Sequence, residues 1–132
     1  MADRYSGYYE HSLDPKGRIT VPSKFRDQLG RTISMMRGEK CIELYSLNEW
    51  NVVYEKFEQV DTTDKESYNR MRRLLATSVD DNEMDKQGRL LVPPTLREFA
   101  NLDKDVIISG AGRHVEVWNR EAFFRFIEEE EQ

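Results

Sequence analysis

Several things are scarce in this chain, and each scarcity excludes something. There is one cysteine, Cys41, in 132 residues. It has no internal partner for a disulfide, and one thiol alone makes no metal site. No apolar run approaches the roughly 20 residues of a membrane-spanning helix. The opening "MADRYSGYYEHSLD" lacks the apolar stretch of a signal peptide, so a cytoplasmic protein without a membrane partner is expected. Glycine (seven) and proline (four) are too few and too scattered to form a linker. There is no Walker motif, no activated nucleophile and no paired-carboxylate pattern. An enzyme, a cofactor and a small-molecule substrate are therefore not expected. His11 and His114 each stand alone without metal-ligand spacing, and no metal is expected either. "DDNEMDKQG" fails as a calcium loop because its glycine is misplaced and no closing Glu follows.

What is present is a repeated phrase. "DPKGRITVPSKFR" (Asp14 to Arg26) returns 71 residues later as "DKQGRLLVPPTLR" (Asp85 to Arg97). Six of the thirteen positions are identical: Asp14/Asp85, Gly17/Gly88, Arg18/Arg89, Val21/Val92, Pro22/Pro93 and Arg26/Arg97. Asp followed by Gly three residues on predicts a tight turn, in which Asp bonds locally and Gly accepts positive φ. A short strand follows. Pro22 or Pro93 ends it and suits the start of a helix. Gly30 and Asn101 stand where left-handed helix ends belong.

The sequence beyond each helix repeats as well. "TISMM" and "CIELY" flank the turn "RGEK"; "DVIIS" and "VEVW" flank "GAGRH". A helix then begins at Ser46 with a capping box to Glu49, and its counterpart begins at Asn119. Trp50, Tyr54, Phe57, Phe123 and Phe126 are expected in the core or at a subunit interface. Each half thus reads ββαββα, with a two-residue slip between the halves. A connecting helix is expected over 61–76, capped by Thr63 with Glu66, its apolar face marked by Tyr68, Met71, Leu74 and Leu75. With no linker between them, the halves (5–60 and 77–132) are expected to pack as one pseudo-twofold α+β unit.

The net charge of −5 hides an uneven distribution. The first phrase carries +3 (Lys16, Arg18, Lys24 and Arg26 against Asp14), and the second carries +2. Ser46–Glu66 carries −4, and Glu128–Glu131 adds −4. The positive charge follows the repeated phrase.

The doubled D-x-x-x-R, Asp14 to Arg18 and Asp85 to Arg89, resembles the MraZ family from Tyr5 to about Phe126. In both copies V-P follows, with an Arg four residues after the Pro. The resemblance implies an AbrB-like swapped-hairpin barrel, with both copies fused in one chain. It implies a bacterial transcription regulator, a repressor by family expectation, acting on its own promoter and on the division and cell-wall gene cluster. It also implies double-stranded DNA with short direct repeats as partner, a closed ring of identical chains, and a place on the nucleoid.

On this reading Arg18 and Arg89 contact DNA, and Lys16 and Lys86 lie near phosphate. Asp14, Gly17, Asp85 and Gly88 orient the motif. Arg18 is expected to contribute more than Arg89. Gln87 stands where the first copy has Lys16, and Asp80, Asp81 and Glu83 would repel phosphate. Arg70, Arg72 and Arg73 are expected on a solvated face or at a neighbouring subunit. The competing function is an oligomeric interaction or scaffold protein built on the same barrel.

Overall fold

The computed structural model describes residues 4–129. Glu130 and Glu131 of the acidic tail, and the first three residues, lie outside that range. The first half runs β1 (Tyr8–Ser12), β2 (Arg18–Thr20), α1 (Ser23–Leu29), β3 (Thr32–Arg37), β4 (Ile42–Ser46) and α2 (Leu47–Glu58). Helix α3 (Lys65–Ala76) follows. The second half runs β5 (Val79–Glu83), β6 (Arg89–Leu91), α4 (Pro94–Phe99), β7 (Asp105–Gly110), β8 (Val115–Asn119) and α5 (Arg120–Glu128). The chain is α+β with antiparallel sheets. Matched elements start 71 residues apart through α4 and 73 apart from β7 onward. The two-residue slip therefore lies in the loop after the short helix.

The halves exchange strands. β1 pairs with β7, β5 with β3, β2 with β6, and β4 with β8, each partner coming from the other half. Among the described residues, only the hairpins β3–β4 and β7–β8 pair within one half. The result is a six-stranded sheet in the order β1-β7-β8-β4-β3-β5 and a two-stranded ribbon β2-β6.

The core follows from this pairing. Ile19 and Leu90, facing each other across the ribbon, are fully buried. Phe25 and Leu29, four residues apart on α1, present one helix face to the same core. Tyr5 and Tyr9 meet the Phe25 ring edge-on at 5.7 and 5.6 Å. The second faces of the strands are covered too. Met36 and Tyr45 cluster with Trp50 of α2, and Cys41, Ile107 and Trp118 with Phe123 of α5.

The helix ends explain the element boundaries. Ser46 Oγ accepts from the Glu49 N–H and Asn119 Oδ1 from the Ala122 N–H. Gly30 (φ 73°) and Asn101 (φ 52°) take positive φ just past α1 and α4, but the ψ of −171° at Gly30 is extended and not the left-handed helical value expected. One cap differs from expectation. α3 starts at Lys65, and Asp64, not Thr63, caps it by accepting from the Ser67 N–H and Oγ–H. Thr63 instead gives its N–H and hydroxyl to Asp61, closing the turn that precedes the helix. Tyr68, Met71, Leu74 and Leu75 share a face of α3 that is only half-buried. Of the aromatic side chains expected in the core or at a subunit interface, Trp50 and Phe123 are buried, Phe57 is half-buried, and Tyr54 and Phe126 are exposed.

Candidate nucleic-acid interface

The two D-x-x-x-R motifs fold alike. Gly17 (φ 83°) donates its N–H to Asp14 O at 2.9 Å, and Gly88 (φ 79°) to Asp85 O at 3.0 Å. Inside each turn the carboxylate is the hub. Asp14 Oδ1 accepts the N–H groups of Lys16 and Arg18 at 2.9 Å each, and Oδ2 accepts Arg18 Nε–H at 2.7 Å. Asp85 repeats this with the Gln87 and Arg89 N–H groups at 2.9 and 2.8 Å and Arg89 Nε–H at 2.6 Å. Both carboxyls are held below their ordinary pKa, chiefly by the N–H of Arg18 or Arg89 and then by that residue's guanidinium.

The turns and the ribbon are one construction. The Val21 N–H donates to Gly88 O and the Val92 N–H to Gly17 O, each at 2.9 Å. Pairing therefore runs from one turn to the other. Because β2 and β6 are antiparallel, the turns sit at opposite ends of the ribbon, about 14 Å apart at about 3.4 Å per residue. Arg18 lies opposite Leu91, and Arg89 opposite Thr20. Side chains alternate along a strand, so these four share the outer face while Ile19 and Leu90 face the core. As a diagonal pair, Arg18 and Arg89 stand roughly 7–8 Å apart. Each guanidinium is bonded through Nε, and among the described residues nothing else bonds it. Lys16 and Lys86 are exposed beside them.

The structure also gives Arg26 and Arg97 a place that the repeated phrase marked but did not explain. Arg26 Nε donates to Val21 O at 2.7 Å, and Arg97 Nε to Val92 O at 2.9 Å. Each guanidinium lies against the turn glycine of the other half: Arg97 against Gly17, Arg26 against Gly88. The signal was their identity in the repeat. The missing information was which turn of the other half each arginine meets.

The family described as "MraZ protein, putative antitoxin-like" matches this chain over residues 5–73 and 76–132. The chain belongs to the MraZ family. A curated relative, the transcriptional regulator MraZ of Caldanaerobacter subterraneus subsp. tengcongensis, is 42% identical over 118 residues. That match covers 89% of this chain and 82% of the relative. Each MraZ match contains one complete D-x-x-x-R turn.

Other predicted residues lie elsewhere. Arg72 donates to Asn69 Oδ1 and lies over the Tyr68 ring. Arg70 and Arg73 line a cavity of about 520 Å³ with Glu39, Glu43 and Phe99. His11 is half-buried on β1, its pKa lowered by burial and by the charge of Arg26. No helix among the described residues is long and apolar enough to cross a membrane.

Proposed function

We propose that this protein is a sequence-specific DNA-binding transcription regulator, a repressor of its own promoter and of the division and cell-wall gene cluster. The observation that carries this is the shared outer face of Arg18 and Arg89, each held at Nε by its own aspartate. The major groove admits a two-stranded β-ribbon, and an arginine fork pairs with guanine O6 and N7. Lys16 and Lys86 serve as point charges for phosphate. Asp14 and Asp85 would be repelled by DNA. Their work is to fix the turn and aim the arginine, with Gly17 and Gly88 permitting the bend. The likeness to a transcriptional regulator supports a regulatory, non-catalytic role.

On this reading the strand exchange belongs to a swapped-hairpin barrel, the two repeats (5–60 and 77–132) act as one pseudo-twofold unit, and the α3 region (61–76) connects them. The half-covered face of α3 and the exposed Tyr54, Phe126 and Ile127 support self-association. A closed ring would set several ribbons against successive direct repeats, and avidity would then offset the chain's negative charge. The place of action is the cytoplasm and nucleoid.

The test is titration of the purified protein with the duplex immediately upstream of its own gene, against a scrambled duplex, at two salt concentrations. The expected result is tight, salt-sensitive binding that prefers the native sequence. Arg18→Ala should lose about 10-fold to 100-fold, as for a base contact worth about 1–3 kcal/mol, with the oligomer intact. Equal binding to both duplexes, or none, would sink the reading. The exposed aromatics on α2 and α5 would then favour an interaction or scaffold protein.

A further inference from the structure

Glu43 on β4 and Glu116 on β8 lie directly opposite each other across the strand pair that joins the two halves. Two carboxylates so placed repel unless something positive stands between them. His114, two residues before Glu116 and so on the same side, brings Nε2 to 2.9 Å from Glu116 Oε2 and 3.6 Å from Glu43 Oε2. One donor atom from each of the three side chains falls within a 4.8 Å group.

The arrangement is held from outside. The Tyr45 hydroxyl donates to Glu43 Oε1 at 2.6 Å, and Trp118 Nε1 donates to Glu116 Oε1 at 2.9 Å. Each carboxylate is thereby pinned through one oxygen, with the other turned toward His114. The Tyr45 ring lies against the imidazole, centroids 5.1 Å apart.

Gly38 supplies an independent sign. Its backbone is not in the left-handed region, so no turn requires a glycine there. A β-carbon at this position would stand 2.9 Å from Glu43 Oε2 and 2.7 Å from Cys41 Sγ. The glycine keeps space at the carboxylate tip. A cavity of about 340 Å³, lined also by Lys40 and Phe126, opens onto Glu43 and Glu116.

We propose that His114 Nε2, Glu43 Oε2 and Glu116 Oε2 bind one divalent cation of the zinc class. Two ligands at 2.0–2.1 Å in tetrahedral geometry stand about 3.4 Å apart, a separation that the 2.9 and 3.6 Å distances bracket. One imidazole with two carboxylates suits zinc. Calcium and magnesium take oxygen sets of six or more. Tyr45 and Trp118 are the outer-shell partners that metal-bound carboxylates characteristically have. The ligands come from both halves, so the ion would tie them together. Binding at neutral pH displaces any proton from His114.

The test uses the full chain, stripped with a chelator and titrated with ZnCl₂ against a chromogenic zinc indicator. One ion per chain is expected, with a rise in the thermal midpoint. Calcium should produce neither effect. Tyr45→Phe should weaken binding about 10-fold to 100-fold, and Glu116→Gln by more. Absence of stoichiometric binding to the wild type would overturn the proposal, as would a zinc affinity unchanged in folded Glu116→Gln. Either result would leave the three side chains a plain ion-pair cluster. The wild-type titration decides even if a variant fails to fold.

Discussion

Arg97 Cζ lies 2.8 Å from the point where a β-carbon on Gly17 would sit. The helix of one repeat thus packs beneath the motif turn of the other, and Arg26 does the same beneath Gly88. Both guanidiniums are held by a carbonyl between the ribbon strand and their own helix, that of Val21 or Val92. Each motif turn therefore rests on a side chain from the opposite half.

Gly17→Ala and Gly88→Ala should both destabilise the chain. The left-handed φ alone costs an L-residue about 1–3 kcal/mol, and the displaced guanidinium adds to that. Gly112→Ala is the control: its φ of 85° is also positive, but no atom lies within 4 Å of the added carbon. Urea denaturation should show a larger loss at the two motif glycines than at Gly112. Equal losses at all three would mean that the contact with arginine contributes nothing.

Strong acid should loosen the motif turns. Asp14 and Asp85 have depressed pKa values when folded, so their contribution is present above the unfolded carboxyl value of about 3.9. It is lost as pH falls through the lower folded values. The fall in stability below about pH 4 should be shallower in Asp14→Asn/Asp85→Asn than in the wild type. Thermal midpoints from pH 6 down to pH 2.5 would show this. Parallel curves would argue that other carboxylates govern acid sensitivity.

DNA binding should separate charge from shape. Lys16→Ala should weaken binding to native and scrambled duplexes alike, and should reduce the slope of log K against log salt by about 1. Arg18→Lys keeps the charge but loses the planar fork, so it should cost preference for the native sequence while leaving the salt slope nearly unchanged. Fluorescence anisotropy at four salt concentrations would distinguish the two. Unchanged preference for the native sequence in Arg18→Lys would place Arg18 on phosphate and not on bases, because lysine keeps the charge.

Much of the fold was legible because its signals are local. Turn glycines, caps and strand alternation each depend on a few neighbouring residues, and the repeat gave every element a second reading. The cap of α3 falls on Asp64 and not Thr63 because both adjacent residues are competent caps, and the Thr63 hydroxyl is engaged by Asp61 in the turn before the helix. Strand exchange depends on pairing between distant segments, which no local pattern encodes. The roles of Arg26 and Arg97 stayed hidden for that reason. So did the meeting of Glu43 with His114 and Glu116, where only the alternation of His114, Glu116 and Trp118 hinted at a shared face.

The two motifs also differ in a way that geometry does not capture. Their hydrogen bonds agree to within about 0.1 Å, yet β5 places exposed Asp80, Asp81 and Glu83 just before the second turn. If both arginines meet DNA, this acid should weaken the contact of Arg89. Asp80→Asn/Asp81→Asn/Glu83→Gln should then raise DNA affinity several-fold at low salt, and less as salt screens the repulsion. Asn tolerates the positive φ at position 81, so folding should be unaffected. The gain should vanish when Arg89→Ala is added and survive when Arg18→Ala is added. A gain that persists without Arg89 would mean that the acid acts on the approach of DNA as a whole, and that the second turn supports the ribbon without reading the sequence.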